Sequence, residues 1–382
     1  MAPRITPAKK KKKSSKKVIR YAVVGLGHIA QVAVLPAFAH AKRNSTLVAL
    51  VSGTQKKLKE LGRRYGVKRL YGYDDVDELF ASGDIDAVYI ALPNDMHKEY
   101  TVKAARAGLH VLCEKPMAVA VRECEEMIRE TRKAKVKLMI AYRLHFERAN
   151  LEAAQLASSG KLGDLRYFSS DFSMQVNEGN IRLRPVTAGG GPLYDIGIYC
   201  LNAARYCFAE DPIEVWASAT RSADPRFREV DETLSAILRF KDEKVATFTC
   251  SFGAAHRSTY TIVGTKGTLT MDPAYEYAEG LAYETNAGGR THRRKLARSD
   301  QFAPELLYFS DCILNNRDPE PSGEEGLIDV RIIEGMLRSA ASGRSVRLKI
   351  QQRKRRPTLQ QEIRSPAIKH EPKMVEAESA SQ

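Results

Sequence analysis

Short apolar runs alternate with amphipathic stretches through the first 145 residues. Runs at 18–24, 47–51, 85–92, 110–115 and 137–142 are bounded by Gly, Pro, Asn or Ser, as buried strands are. Between them, apolar positions recur at helical spacing over 25–41, 55–65, 97–107 and 121–134. Pro36 falls inside the first of these helices and should kink it. Strands alternating with helices imply a parallel sheet with right-handed crossovers. After Phe146 the pattern changes. A helix is expected over 148–158 and a strand over 165–172, and Gly189-Gly190-Gly191 precedes a helix over 192–208. Runs at 213–220, 233–240, 245–252, 258–264 and 267–271 follow with short connections, which predicts an antiparallel sheet. Helices over 305–315 and 324–342 close the fold.

Charge separates the ends of the chain from its body. The 382 residues carry a formal net charge of +15, of which the first 20 residues contribute nine and residues 349–382 four more. Residues 1–17 and 349–382, the latter with Arg353-Lys354-Arg355-Arg356, therefore read as solvated, disordered arms. The nearly neutral body excludes a basic groove, so nucleic acid is not an expected partner. Two domains follow, 18–145 and 146–348. No apolar run reaches 18 residues, which argues against a membrane span and places the protein in the cytoplasm. Six cysteines without a Cys-x-x-Cys pair read as reduced, buried thiols, and eight scattered histidines predict no metal site.

Chemistry concentrates at strand ends. Gly25-Leu26-Gly27-His28-Ile29-Ala30 fits G-x-G-x-x-A between the first strand and its helix, where glycines let the backbone approach a pyrophosphate. The first domain is therefore an α/β Rossmann dinucleotide-binding domain, followed by an α+β domain with a large, mostly antiparallel open-faced sheet. Ser52-Gly53 ends the second strand where an NAD enzyme keeps an acid, and Lys57 follows one turn later. A hydroxyl with a nearby cation suits the 2′-phosphate of NADP; an exposed lysine face over Lys56, Lys57 and Lys59 is the other reading. Lys115 ends the strand 110–115 on the rim where such sheets bind ligands. Asp195 and Tyr199, four apart, share one helix face. They suit polar recognition and proton transfer, or equally a helix start with its core tyrosine.

In combination these motifs, with Pro93-Asn94-x-x-His97, Glu114-Lys115-Pro116, Tyr142-Arg143 and Gly-Gly-Gly…Asp-Ile-Gly-Ile-Tyr, resemble the family of glucose–fructose oxidoreductase, inositol dehydrogenase and their relatives (Gfo/Idh/MocA). The resemblance runs from about Arg20 to Leu348. Tyr199, Met117 and Arg182-Leu183-Arg184 resemble the glucose–fructose oxidoreductase branch. It implies that Gly25, Leu26, Gly27, His28 and Ile29 hold the pyrophosphate, and that Ser52, Gly53 and Lys57 meet the 2′-phosphate. Leu92, Pro93, Asn94 and His97 would line the cofactor (a helix cap being the other reading of His97), Glu114 would stand near the nicotinamide ribose, and Arg143 and Arg182 near the nicotinamide. Lys115, Asp195 and Tyr199 would surround the reacting carbon of a small-molecule sugar, with hydride passing between it and nicotinamide C4. Tyr199 would act as general acid/base beside the Lys115 ammonium. A non-catalytic NAD(P)/sugar-sensing regulator is the alternative. The short lysine-rich arm replaces the long N-terminal arm of that branch, which puts tight cofactor retention and a two-sugar cycle in doubt. A sheet with one open face must pack on something, so a homo-oligomer, dimer or tetramer, is expected through it.

Overall fold

The structure is a computed structural model that describes residues 17–353, 355–369, 372–377 and 379; the basic arm expected over 1–17 lies, but for Lys17, outside them. Six strands, β1 (Ile19–Val24), β2 (Ser45–Val51), β3 (Arg69–Tyr71), β4 (Ala87–Ile90), β5 (His110–Glu114) and β6 (Leu138–Ala141), form a wholly parallel sheet in the order β3-β2-β1-β4-β5-β6. All but β3 are largely buried, and β1, β4 and β6 are nearly continuous apolar runs, as a sheet covered on both faces requires. The strand order reverses between β1 and β4, and a crevice opens there at the carboxyl ends. The irregularity expected at Pro36 takes the form of a π turn over Ala30–Val34 just before it.

The second sheet comprises β7 (Leu165–Ser173), β8 (Glu214–Thr220), β9 (Thr233–Arg239), β10 (Val245–Ser251), β11 (Arg257–Gly264), β12 (Gly267–Met271), β13 (Ala282–Ala287), β14 (Arg290–Lys295) and β15 (Val346–Arg347). Their order is β14-β13-β12-β11-β7-β10-β9-β8-β15, antiparallel except for the β7–β10 pair. Helices Ile198–Phe208 and Gly323–Ser342 pack on it. Its other face leaves Trp216, Ile237 and Tyr167 exposed, and Trp216 stands directly opposite Ile237. The sequence pattern missed β3, the helix Val76–Ala81 and the β13–β14 hairpin. β3 is three residues long, and β14 (Arg-Thr-His-Arg-Arg-Lys) has no apolar side chain to reveal it.

Two assignments need correction. The helix Ala303–Leu314, expected in the second domain, returns to cover the first sheet. There Tyr21 and Ser310 share a hydrogen bond of 2.8 Å, and Asn44 donates to the Leu307 carbonyl. The first sheet had an uncovered apolar face, and this helix buries it. The tail expected to be disordered over 349–382 is instead packed along much of its described length, because its arginines answer buried acids. Arg205 is fully buried and donates to Asp211 (2.8 Å), Glu325 (2.7 Å) and Asp329. Glu320 is buried nearby. One arginine among four acids leaves uncompensated charge, which a low-dielectric interior does not tolerate. Arg353 supplies bonds to Glu325 (2.7 Å) and Glu320, and Arg356 pairs with Asp211 at 3.0 Å.

Replacing Arg353 with Met should therefore destabilise the protein by about 3 kcal/mol in chemical denaturation. Burial and then Glu325 already push the Glu320 carboxyl up to about 7, and losing Arg353 pushes it further. A raised carboxyl contributes stability below its unfolded value and loses it as pH climbs through the folded one, so the deficit should shrink from about pH 8 to about pH 5.

Candidate active site

The crevice is lined by the ends of five strands. After β1, Gly25 has φ +93°, and a Cβ there would stand 2.5 Å from the Ala91 carbonyl oxygen. Only glycine fits that turn. At Gly27 the opposite holds: an added Cβ would meet no protein atom within 4 Å. The backbone at Gly27, with His28 and Ile29 beside it, borders free space at a helix N-terminus, which suits a pyrophosphate. After β2, Ser52 is buried and its hydroxyl accepts the Thr54 amide at 3.3 Å, while Gly53 is exposed. Lys57 is half-buried on the helix Gln55–Tyr65 and has no ion-pair partner among the described residues. These residues fit an adenosine ribose carrying an anionic group.

After β4, Leu92, Pro93 and Asn94 reach the second domain: the Asn94 amide donates to the Gly189 carbonyl at 2.8 Å. The glycine triplet there is a steric necessity, since a Cβ on Gly190 would lie 1.7 Å from the Arg184 carbonyl oxygen. His97 departs from the expectation that it lines the cofactor. Its ring is fully buried and bridges the Pro116 and Leu92 carbonyls at 2.8 and 2.9 Å, tying two rim loops together. After β5, Glu114 is buried, its carboxyl pushed up by that burial although the Tyr89 hydroxyl donates to it at 2.7 Å. The Lys115–Pro116 peptide is cis.

Lys115 and Asp195 meet across the domain boundary. The Lys115 ammonium donates to the Asp195 main-chain oxygen at 2.7 Å and to Oδ1 at 3.2 Å, and Arg182 Nε donates to Oδ2 at 2.5 Å. Burial works to raise the Asp195 carboxyl, but Arg182 and Lys115 outweigh it and hold it well below the usual range. Burial likewise works against the Lys115 charge, yet Tyr199, Asp195 and Glu114 keep that ammonium above its ordinary value. Asp195 sits in a π turn (Leu193–Gly197) that runs into the helix Ile198–Phe208 carrying Tyr199. The Tyr199 ring centre lies 4.7 Å from Lys115 Nζ and 4.9 Å from Arg143 Cζ. Two cations thus border one phenol ring.

Several residues that support this site, Gln301, Tyr275 and Phe172 among them, lie outside every motif. Arg143, after β6, is held by the Gln301 side chain and the Tyr275 carbonyl. Tyr199 also packs on Phe172 (5.7 Å) and Tyr275 (5.9 Å). A buried guanidinium must find acceptors, so Arg143 announced that partners existed without saying where. All six cysteines are free and buried, and burial pushes the Cys200 thiol up to about 12. Among the described residues no group of His, Cys, Asp and Glu could hold a metal, and no helix is long and apolar enough to cross a membrane.

Comparisons with known proteins bear out the fold and identify the family. A family model described as oxidoreductase family, NAD-binding Rossmann fold (Gfo/Idh/MocA) matches residues 19–142, and that of the Gfo/Idh/MocA C-terminal domain matches 150–270. The crystal structure of an aldose–aldose oxidoreductase from Caulobacter crescentus, complexed with glycerol, is 40% identical. It superposes with a TM-score of 0.83 over 87% of this chain and 100% of that one. A 3-ketoreductase from Actinomadura kijaniata in complex with NADP and TDP-benzene is 26% identical, with a TM-score of 0.76 over 85% of this chain and 98% of that one. The D-xylose 1-dehydrogenase [NADP(+)] of Haloarcula marismortui is 29% identical over 86% of this chain and 93% of its own length.

The two loop glycines should separate folding from binding. Gly27→Ala should keep the wild-type melting temperature yet bind NADP at least ~10-fold more weakly, a loss of about 1.4 kcal/mol. Gly25→Ala should melt early, because the strained φ and the Ala91 contact are intrinsic to the fold. Calorimetry and cofactor titration on both variants check this.

Proposed function

Because the chain belongs to the Gfo/Idh/MocA oxidoreductase family, we propose that it is an NADP-dependent sugar oxidoreductase acting on a pyranose carbinol carbon. The observation that carries this reading is the Lys115 ammonium, shared between Asp195 and the Tyr199 ring on the crevice rim. When bound, NADP supplies a hydride acceptor at nicotinamide C4. Tyr199 takes the proton of the sugar hydroxyl as the carbinol hydrogen leaves with its electron pair, and an aldose becomes its lactone. For this Tyr199 starts as phenolate, which Lys115 and Arg143 stabilise beside its ring, and ends as the neutral phenol. Asp195, ionised and clamped by Arg182, accepts from a neighbouring sugar hydroxyl and fixes the ring. In the reverse direction the same groups protonate a carbonyl oxygen as hydride arrives.

Gly25 to Ile29 hold the pyrophosphate, Ser52, Gly53 and Lys57 the 2′-phosphate, and Leu92, Pro93, Asn94 and Glu114 the cofactor's reactive half. The relatives described above are enzymes, and the reactive residues stand together, so a purely sensing role has no support. The exposed Trp216, Ile237 and Tyr167 support a dimer or tetramer formed through the second sheet. Six free, buried thiols suit the cytoplasm.

Addition of glucose, xylose and other aldoses to protein with NADP, followed by nicotinamide absorbance, tests the reading; silence with every sugar in both directions overturns it. Tyr199→Phe should lower kcat by about 10²–10⁴ and leave NADP affinity unchanged in titration. A loss of cofactor binding in that variant would show that Tyr199 is misassigned.

A further inference from the structure

The C-terminal segment continues beyond its arginine anchors to the cofactor crevice. Thr358 and Gln361 cap each other, and Gln361 donates to the Glu320 carbonyl at 2.8 Å. Arg148 donates to Glu362 at 3.2 Å, the Asp300 amide donates to the Ser365 carbonyl, and Pro366 pairs with Ser299. The segment then lies on the first domain. Val375 is buried in the core beneath the glycine loop. Its amide donates to Gln31 Oε1 at 2.8 Å, and Gln31 Nε2 returns a bond to the Val375 carbonyl at 2.9 Å. The same Nε2 donates to the carbonyl of Leu26, inside the loop, at 2.9 Å. Gln31 is fully buried. A buried carboxamide is costly unless satisfied, and here every bond it makes joins the tail to the loop. On either side, Arg64 donates to the Lys373 carbonyl at 2.8 Å, and Glu376 pairs with Lys56 at 3.5 Å, next to Lys57. Asn180, two residues before Arg182, donates to the Ser379 carbonyl at 3.4 Å.

We propose that the described C-terminal residues, 355–369, 372–377 and 379, form a strap that holds the glycine loop in its binding shape and slows release of the dinucleotide. Gln31 and Val375 are its positioning residues. The loop, the helix bearing Lys57 and the segment bearing Arg182 form three walls of the crevice, and the tail bonds to each. A loop already fixed in its bound form loses less freedom when it binds and opens less often to let the cofactor go. This deepens the sugar-oxidoreductase reading, on which it rests: one retained NADP is reduced by a first sugar and reoxidised by a second. It also reverses the expectation drawn from the short N-terminal arm.

The test uses the full chain. Val375→Pro removes the amide that meets Gln31, and Val375→Ile keeps it. Protein loaded with NADPH is mixed with excess NADP, and the decay of nicotinamide fluorescence gives the dissociation rate. In Val375→Pro release should be about tenfold faster, with kcat at saturating NADP and the melting temperature near wild type; Val375→Ile should match wild type throughout. Unchanged release in Val375→Pro overturns the strap. So does faster release accompanied by an equal fall in kcat or a collapse of the melting temperature, which would mean general loosening. Should no sugar react with wild type, the functional reading falls, whereas release rates and melting temperatures still judge the strap.

Discussion

One ion pair organises the site: the Lys115 ammonium with the Asp195 carboxylate. Lys115 belongs to the parallel sheet of the first domain and Asp195 to a helix entry of the second. Neither charge would survive such burial alone, since removing an ion from water costs several kcal/mol that only a close partner offsets. Arg182 completes the compensation for Asp195, and the Tyr199 ring lies against the same ammonium. The pair thus fixes the domains against each other and leaves a phenol beside a permanent positive charge. The glycine triplet and the Asn94–Gly189 bond hold the two halves of this contact in register, and the bridging ring of His97 fixes the rim loops on the Lys115 side.

What the sequence disclosed follows from which interactions are local. The parallel sheet was legible because β1, β4 and β6 are apolar runs between turn residues, and the glycine loop because a φ of +93° admits little else. Lys115 drew notice by its place at a strand end, whereas Asp195 and Tyr199 on one helix face left a core reading open, and their roles came from the resemblance. Arg182 was expected near the nicotinamide; its clamp on Asp195, 13 positions away, is a tertiary fact. Gln301 and Tyr275 lie more than 130 residues from the Arg143 they hold, and no spacing rule reaches that far. His97 was placed at the cofactor by the resemblance alone, but burial and two carbonyls turn it inward.

The tail shows the same limit for charge. Arg353-Lys354-Arg355-Arg356 looks solvated because a composition count sees only neighbours along the chain. The acids that need these arginines, Asp211, Glu320 and Glu325, are scattered over more than 100 positions. A basic run at a chain end therefore has two physical fates, a polyanion partner or an internal one. Only the packing around Arg205 decides between them.

The return of the helix Ala303–Leu314 and of Val375 to the first sheet bears on how the protein is made. The core beneath the glycine loop draws on β1, on Phe302 to Phe309 and on Val375. As the chain leaves the ribosome, the amino-terminal domain must wait for residues almost 300 positions later before its last apolar face is covered, and for Val375 before its loop is fastened. Contacts this distant in sequence form late, so the nascent first domain presents a greasy face to the cell during most of its synthesis. A chain stopped before residue 303 lacks both the helix that covers the first sheet and the Val375 contact beneath the loop.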